Sequence, residues 1–209
     1  DLHSFPTRRS SDLPTVNVVH AANLERSLHL TFQLMELNRP IVLALNMVDV
    51  AQQLGLAVHA DKLQAHLGIP VIATIGSKGQ GIEALRNKIA EISTGNQIAP
   101  SFPYGEWEGA VHAQTEAWAQ HPELLPGYPR RWAAVLTLEN DESLANAAHQ
   151  ALPEVWQNLK KGADALSTEY TQSTGQSFAD AALRLRHEAA EAACAAAVEQ
   201  HTQIGRAHV

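Results

Sequence analysis

Two short polar segments hold the residue types best suited to chemistry, and each directly follows an apolar run. The first is Asn46-Met47-Val48-Asp49, and the second is the glycine-rich stretch 74–81. The Asp49 carboxylate only accepts hydrogen bonds, and a glycine at position 76 lets the backbone come close to a ligand. An Asn-x-x-Asp pattern alone arises by chance in roughly every second chain of this length. The functional interpretation therefore depends on the position of both segments directly after apolar runs, and not on the pattern alone.

The apolar runs before these segments are predicted to be strands of one sheet. Strands are expected over residues 16–19, 41–45 and 71–75, with helices over residues 23–37 and 81–92. The run 41–45 shows no polar alternation, which indicates burial on both faces. Strands that alternate with helices imply parallel pairing. Residues 14–95 are thus expected to form half of a doubly wound α/β domain, a fold that binds ligands at the carboxyl ends of its strands.

The remainder of the chain has a different composition, because alanine becomes frequent from residue 96 onward. No strand is predicted there. Helices are expected over residues 106–120, 129–139, 153–169 and 177–200. The predicted fold class is therefore an incomplete doubly wound parallel α/β domain, followed by a small all-helical domain over residues 96–203.

Composition excludes several classes of function. The formal net charge of -7 leaves no broad basic face for nucleic acid. The single cysteine, Cys194, rules out an internal disulfide and a paired-cysteine zinc site. The eleven histidines show no metal-ligand spacing, so no metal site is predicted. The apolar runs are also far shorter than the roughly 20 residues of a bilayer span.

Together, the two polar segments resemble the last two signature loops of GTPases. That resemblance implies a guanine site formed by Asn46, Met47, Asp49, Gly76 and Ser77. In it, Asp49 accepts from the N1–H and the exocyclic amine of guanine, whereas adenine presents an acceptor at that edge. Asn46 ties the loops together and touches the purine, while backbone N–H groups of Gly76 and Ser77 reach guanine O6. The alternative is two ordinary strand-to-helix turns, with Asp49 as a favourable charge at a helix N-terminus.

A narrower resemblance points to one family. Four stretches carry it: residues 18–28, 43–49, 67–72 and 79–82. They strongly resemble the bacterial ferrous-iron transporters of the FeoB family, over about residues 14–95. Met47 makes the match specific, because most GTPases have lysine there. The helical part resembles the soluble helical domain of that family more loosely, through Arg130-Arg131-Trp132 and the final alanine-rich helix.

The resemblance implies a module that binds GTP or GDP at the cytoplasmic face of the bacterial inner membrane. It would regulate Fe²⁺ passage through a membrane domain of the same polypeptide beyond residue 203, and it allows an oligomer of the whole protein. The phosphate loop, the switches and the Mg²⁺ ligands would precede Pro14, so the chain alone is expected to be inactive in GTP hydrolysis. His20 and Ile75 stand where the family usually has aspartate and serine.

Both ends differ from the rest of the sequence. Residues 3–13 and 204–209 resemble translated frames of common sequencing adapters. The tails 1–13 and 204–209 are therefore expected to be artefacts at the two sides of an internal gene fragment. Two alternatives to the transporter hypothesis stay open, namely a non-catalytic interaction scaffold and part of a soluble GTPase of another family.

Overall fold

The computed structural model describes residues 13–94 and 99–200. The adapter-like stretches 1–12 and 204–209 lie outside these residues. The chain divides into two compact units: the first extends to Pro100 and resumes at Glu188, and the second is Ser101–His187. These units differ from the expected ranges 14–95 and 96–203 mainly because the residues from Glu188 onward belong to the first unit and not to the second.

A parallel sheet forms the centre of the first unit. Its strands are β1 (Thr15–His20), β2 (Ile41–Asn46) and β4 (Val71–Thr74), in the order β1-β2-β4. The middle strand, β2, buries its first five residues, as its unbroken apolar run predicted. Both neighbours pair with β2 in parallel. The predicted parallel α/β class is confirmed.

In the described residues up to Pro100, the first unit contains four α-helices. They are α1 (Leu24–Met35), α2 (Val48–Gln53), α3 (Ala60–Leu67) and α4 (Ile82–Thr94). Helix α1 buries Leu24, Leu28, Phe32 and Met35, whose three-to-four spacing places them on one face. The predicted helices over 23–37 and 81–92 therefore match α1 and α4. Helices α2 and α3 lie between the second and third predicted strands, where the alternation implied a helix without giving its bounds.

A second, two-stranded sheet corrects the prediction that no strand follows residue 96. Strand β3 (Leu56–Val58) pairs antiparallel with β5 (Val198–Gln200). Glu199 accepts a hydrogen bond from Lys62 Nζ at 2.6 Å and lies 3.2 Å from His59 Nε2. The helix predicted over 177–200 therefore ends early, because its last three residues satisfy their backbone groups by pairing with β3.

Helix α4 begins against the backbone of β4. Gly81 precedes it with φ +76°, and a Cβ there would overlap the carbonyl oxygen of Ala73 and lie 3.1 Å from Thr74 Cα. Gly79 also has a positive φ, +68°, but no atom lies within 4 Å of the position of its Cβ. The two glycines thus share a backbone conformation and differ in their surroundings.

Helices make up most of the second unit. They are α5 (Glu108–Ala119), α6 (Arg130–Leu138), α7 (Glu142–Ala151), α8 (Pro153–Thr174) and the start of α9 (Phe178–Ala197). Trp118 lies at the centre of a core that also contains Trp156 and Leu144. Its Nε1 donates to Thr137 Oγ1 at 3.0 Å. The all-helical prediction holds for this unit, with α7 as an additional helix. In the described residues, no helix combines the length and hydrophobicity needed to span a bilayer.

An ion pair fixes the beginning of α5. Arg131 Nη1 donates to Glu108 Oε1 at 2.8 Å, Arg131 Nη2 donates to the carbonyl of Phe102 at 2.8 Å, and Glu108 Oε2 accepts from Tyr104 N at 3.0 Å. Burial by itself would raise the pKa of Glu108. The hydrogen bonds from Arg131 and Tyr104 outweigh it and hold that pKa below its ordinary value of 4.5.

We expect Gly81→Ala to destabilise the first unit by about 3 kcal/mol or more, because left-handed strain adds to a backbone overlap. Gly79→Ala should cost only about 1 kcal/mol, the strain alone. Amide hydrogen exchange in β4 and α4 measures both effects. Equal acceleration of exchange in the two variants would contradict the close approach at Gly81.

Glu108→Gln should destabilise the second unit by about 1 kcal/mol at neutral pH, because Arg131 loses a charged partner that is itself half-exposed. Since folding lowers the pKa of Glu108, its contribution is complete above pH 4.5 and is lost as the pH falls through the folded-state pKa. The difference in the free energy of unfolding between the variant and the wild type should therefore become smaller in acid. Denaturant unfolding followed by tryptophan fluorescence measures it, since all four tryptophans lie in this unit.

The matched control is Glu106→Gln, which changes an exposed glutamate in the preceding turn. This variant should unfold like the wild type at every pH. Two results would contradict the assigned role of the ion pair. One is an equal loss of stability in both variants, and the other is a destabilisation by Glu108→Gln that stays the same in acid.

Candidate functional site

The three parallel strands end in a row of polar residues. His20, Asn46 and Thr74 are the last residues of β1, β2 and β4, and they are direct register partners. His20 Nδ1 accepts from Ala22 N at 3.1 Å, so its side chain caps the turn before α1. Asn46 and Thr74 are left to organise the two loops that leave this edge of the sheet.

The side chain of Asn46 joins these loops. Its Oδ1 accepts from Gly76 N at 3.0 Å and from Thr74 Oγ1 at 3.3 Å. A Cβ on Gly76 would lie 3.5 Å from the same oxygen, which is ordinary contact distance. The loop-tying contact that the GTPase resemblance implied for Asn46 is therefore present, although its contact with a purine stays a prediction.

Met47 turns the chain from β2 into α2. Its backbone is left-handed, with φ 62° and ψ 37°, a conformation that costs a non-glycine residue about 1 kcal/mol or more. The turn directs Asn46 toward the second loop and places Asp49 in the first turn of α2. The side chain of Met47 is 42% exposed. Three of the predicted guanine-binding residues thus share one strained turn.

Asp49 holds its carboxylate toward the second loop. Its Oδ2 accepts from Lys78 Nζ at 2.7 Å, and its Oδ1 accepts from Val50 N at 3.1 Å. The hydrogen bond from Lys78, the positive charge of Lys78 and the Val50 N–H lower the pKa of Asp49 against the opposing effect of partial burial. The carboxylate is therefore ionised at neutral pH and acts only as an acceptor.

The second loop is closed on itself. Ile75 N donates to the carbonyl of Gln80 at 3.0 Å, and Gly76–Lys78 forms a 3-10 turn. Gly76 and Ser77 are both exposed. Because the Gly76 N–H already donates to Asn46, Ser77 offers the better backbone donor of the two that were expected to reach guanine O6.

Sequence reasoning missed Lys78 as a member of this site. A lysine in a glycine-rich loop is an ordinary surface residue until the register of β2 and β4 brings that loop to Asp49. The available groups, one carboxylate and nearby backbone N–H donors, fit the edge of guanine. They do not fit Mg²⁺, which requires several oxygen ligands and would be repelled by the ammonium group on Asp49.

Comparisons with known proteins agree with this architecture. A family model described as Ferrous iron transport protein B matches residues 7–89, and one described as FeoB cytosolic helical domain matches residues 104–199. The Fe(2+) transporter FeoB of Escherichia coli K12 is 35% identical over 153 residues, which are 71% of this chain and 19% of the relative. The chain thus spans about a fifth of the length of the curated relatives it matches.

Solved structures show the same arrangement. The GDP-bound A143S mutant of the S. thermophilus FeoB G-domain aligns with TM-score 0.76 and 29% identity, over 88% of this chain and 68% of that one. The mGMPPNP-bound NFeoB of S. thermophilus gives TM-score 0.77 and 29% identity, over 90% and 68%. The sheet and the helices that follow it therefore have the fold of a partial GTPase domain with its helical domain. With two family models matched in succession, the chain belongs to the FeoB family of ferrous iron transport proteins.

Proposed function

We propose that this chain is the guanine-binding part of the cytoplasmic GTPase module of a ferrous-iron transporter. GTP binding and hydrolysis by the complete module would regulate Fe²⁺ passage through a membrane domain of the same polypeptide, beyond residue 203. The phosphate and Mg²⁺ contacts would come from segments that precede Pro14. The residues described here would supply base recognition.

The observation that carries this proposal is the contact between the two loops. The Asn46 amide oxygen binds both Thr74 and the backbone of Gly76. Two ordinary strand-to-helix turns can form without a hydrogen bond between them. Here it fixes the distance between the Asp49 carboxylate and the Ser77 backbone, which are the two groups proposed to read opposite ends of one purine edge.

The chemistry of Asp49 favours guanine over adenine. Guanine presents N1–H and an exocyclic amine side by side, and an ionised carboxylate can accept from both. Adenine presents an unprotonated ring nitrogen at the same position, so the carboxylate would face an acceptor. Losing the two hydrogen bonds from guanine costs roughly 1 to 3 kcal/mol, which corresponds to roughly a 5- to 150-fold preference.

Two other functions were considered from the sequence. Membership in the FeoB family replaces the alternative of a soluble GTPase from another family. An interaction scaffold that has lost nucleotide recognition predicts the same fold but no base selectivity. The position of Asp49 in the first turn of α2 suits either a helix-terminal charge or a base-binding carboxylate, so selectivity is the property to measure.

We expect Asp49→Asn to shift base preference from guanine toward xanthine. Xanthine carries a carbonyl where guanine carries its amine, and an asparagine amide can donate to that carbonyl while its own oxygen accepts from N1–H. Nucleosides are the appropriate probes, because they need no phosphate loop. Titration of the ¹⁵N-labelled 209-residue chain with guanosine, xanthosine and adenosine, followed by amide shifts of Val50 and Ser77, measures the preference.

The matched control is Asp61→Asn, which makes the same change in the first turn of α3. It should leave guanosine as the preferred nucleoside. If Asp49→Asn also leaves the order unchanged, Asp49 is a helix-terminal charge and not a base ligand. If the wild type shows no preference among the three nucleosides, the scaffold alternative replaces the proposed function.

A further inference from the structure

The Asp49 carboxylate is engaged by the protein itself before any base arrives. Lys78 Nζ lies 2.7 Å from Oδ2, and Val50 N lies 3.1 Å from Oδ1. Under the proposed function, this carboxylate must accept two hydrogen bonds from guanine. The Val50 N–H belongs to the helix that carries Asp49 and can remain in place. Lys78 belongs to the opposite loop and is the group that base binding would have to move.

Lys78 is the more exposed member of the ion pair with Asp49. The side chain of Asp49 is 21% exposed, whereas that of Lys78 is 57% exposed. The Asp49 side chain is thus partly covered, and the group that contacts it extends into water. A ligand that binds Asp49 through Oδ2 has to displace the Lys78 ammonium from that oxygen.

The Lys78 side chain can leave without a change in its loop. Its backbone N–H donates to the carbonyl of Ile75 at 3.0 Å, and the Ile75 pairing with Gln80 closes the loop independently. Beside it, Gly79 has no atom within 4 Å of the position of its Cβ, so the loop tip borders open space. Lysine has a flexible four-carbon stem and a compact charge, which suits a contact that opens by side-chain rotation.

We propose that Lys78 is a latch on the guanine site, which closes onto Asp49 in the absence of nucleotide and opens when the base binds. This inference rests on the proposed function, since it assigns a regulator to the same carboxylate. Breaking the Lys78–Asp49 contact is then part of every binding event. Ion pairs between exposed side chains contribute little, so the latch lowers guanine affinity by roughly two- to fivefold.

The latch gives guanine affinity an unusual dependence on salt. Guanosine is uncharged, so it gains no long-range attraction that salt could screen. Salt does weaken an exposed ion pair. Raising ionic strength should therefore open the latch and strengthen guanosine binding, which is opposite to the usual behaviour of a site that binds a charged ligand.

The test compares Lys78→Met with the wild-type 209-residue chain in guanosine titrations, followed by the amide shifts of Val50 and Ser77. Methionine keeps much of the stem and removes the charge. At about 20 mM salt, Lys78→Met should bind guanosine roughly two- to fivefold more tightly than the wild type. At about 300 mM salt the wild type should approach the variant, whose own affinity should not change.

The matched control is Lys88→Met, which removes an equal charge and another exposed ion pair, with Glu91 at 2.6 Å on α4. It should reproduce the wild-type affinity and its salt dependence. Equal or weaker guanosine binding by Lys78→Met would overturn the latch while leaving the proposed function intact. No guanosine binding by the wild type or either variant would overturn the proposed function, and the latch with it.

Discussion

The parallel register of three short strands is the constraint on which the site depends. Strand β2 is buried along its first five residues, so a polar side chain can appear only where the strand ends. Parallel pairing then brings the ends of its two neighbours to the same edge, with His20, Asn46 and Thr74 in one row. The hydrogen bonds that Asn46 forms with Thr74 and Gly76 start from this row. The geometry of the loops is therefore a consequence of how the apolar strands pair.

Asn46 and Asp49 lie three residues apart but serve different purposes. The Asn46 amide oxygen is used within the protein, since it holds the backbone of Gly76 and the hydroxyl of Thr74. Substitution of Asn46 would remove the two hydrogen bonds that connect the loops. The Asp49 carboxylate is held by a backbone N–H and by a lysine whose side chain can rotate away. One residue therefore connects the two loops, whereas the other holds a carboxylate whose partner on the opposite loop extends into solvent.

The parts that the sequence could predict are those with long apolar periodicity. Strand β2 and helix α1 have such patterns and lie close to their expected positions. Helix α2 has six residues and buries only Ala51, so its pattern is too weak to distinguish it from a turn. Strand β5 follows an alanine-rich helix, and its conformation depends on pairing with β3. The contact of Glu199 with Lys62 spans 137 residues, a separation that no local pattern records.

Lys78 illustrates the same limit at the site. Each loop could be identified from its own residues, and the resemblance to GTPase loops implied that they meet. Lys78 can be identified as a residue of the site only from its contact with Asp49 on the neighbouring loop. That contact depends on strand register and on the left-handed turn at Met47. The chemistry carried by single residues was predictable, whereas the pairing of residues between loops required the three-dimensional structure.

Selectivity at an edge this open has to come from charge rather than from enclosure. Met47 and Lys78 are both well exposed, so water competes for every neutral hydrogen bond and leaves each with a small net value. An ionised acceptor forms stronger hydrogen bonds, but a partly covered carboxylate is more stable with a partner when no base is bound. A permanent partner would abolish binding, and a weak, solvent-facing one would not. Under the proposed function, the charge and partial burial that suit Asp49 to reading guanine are thus also the features that favour a mobile cation beside it.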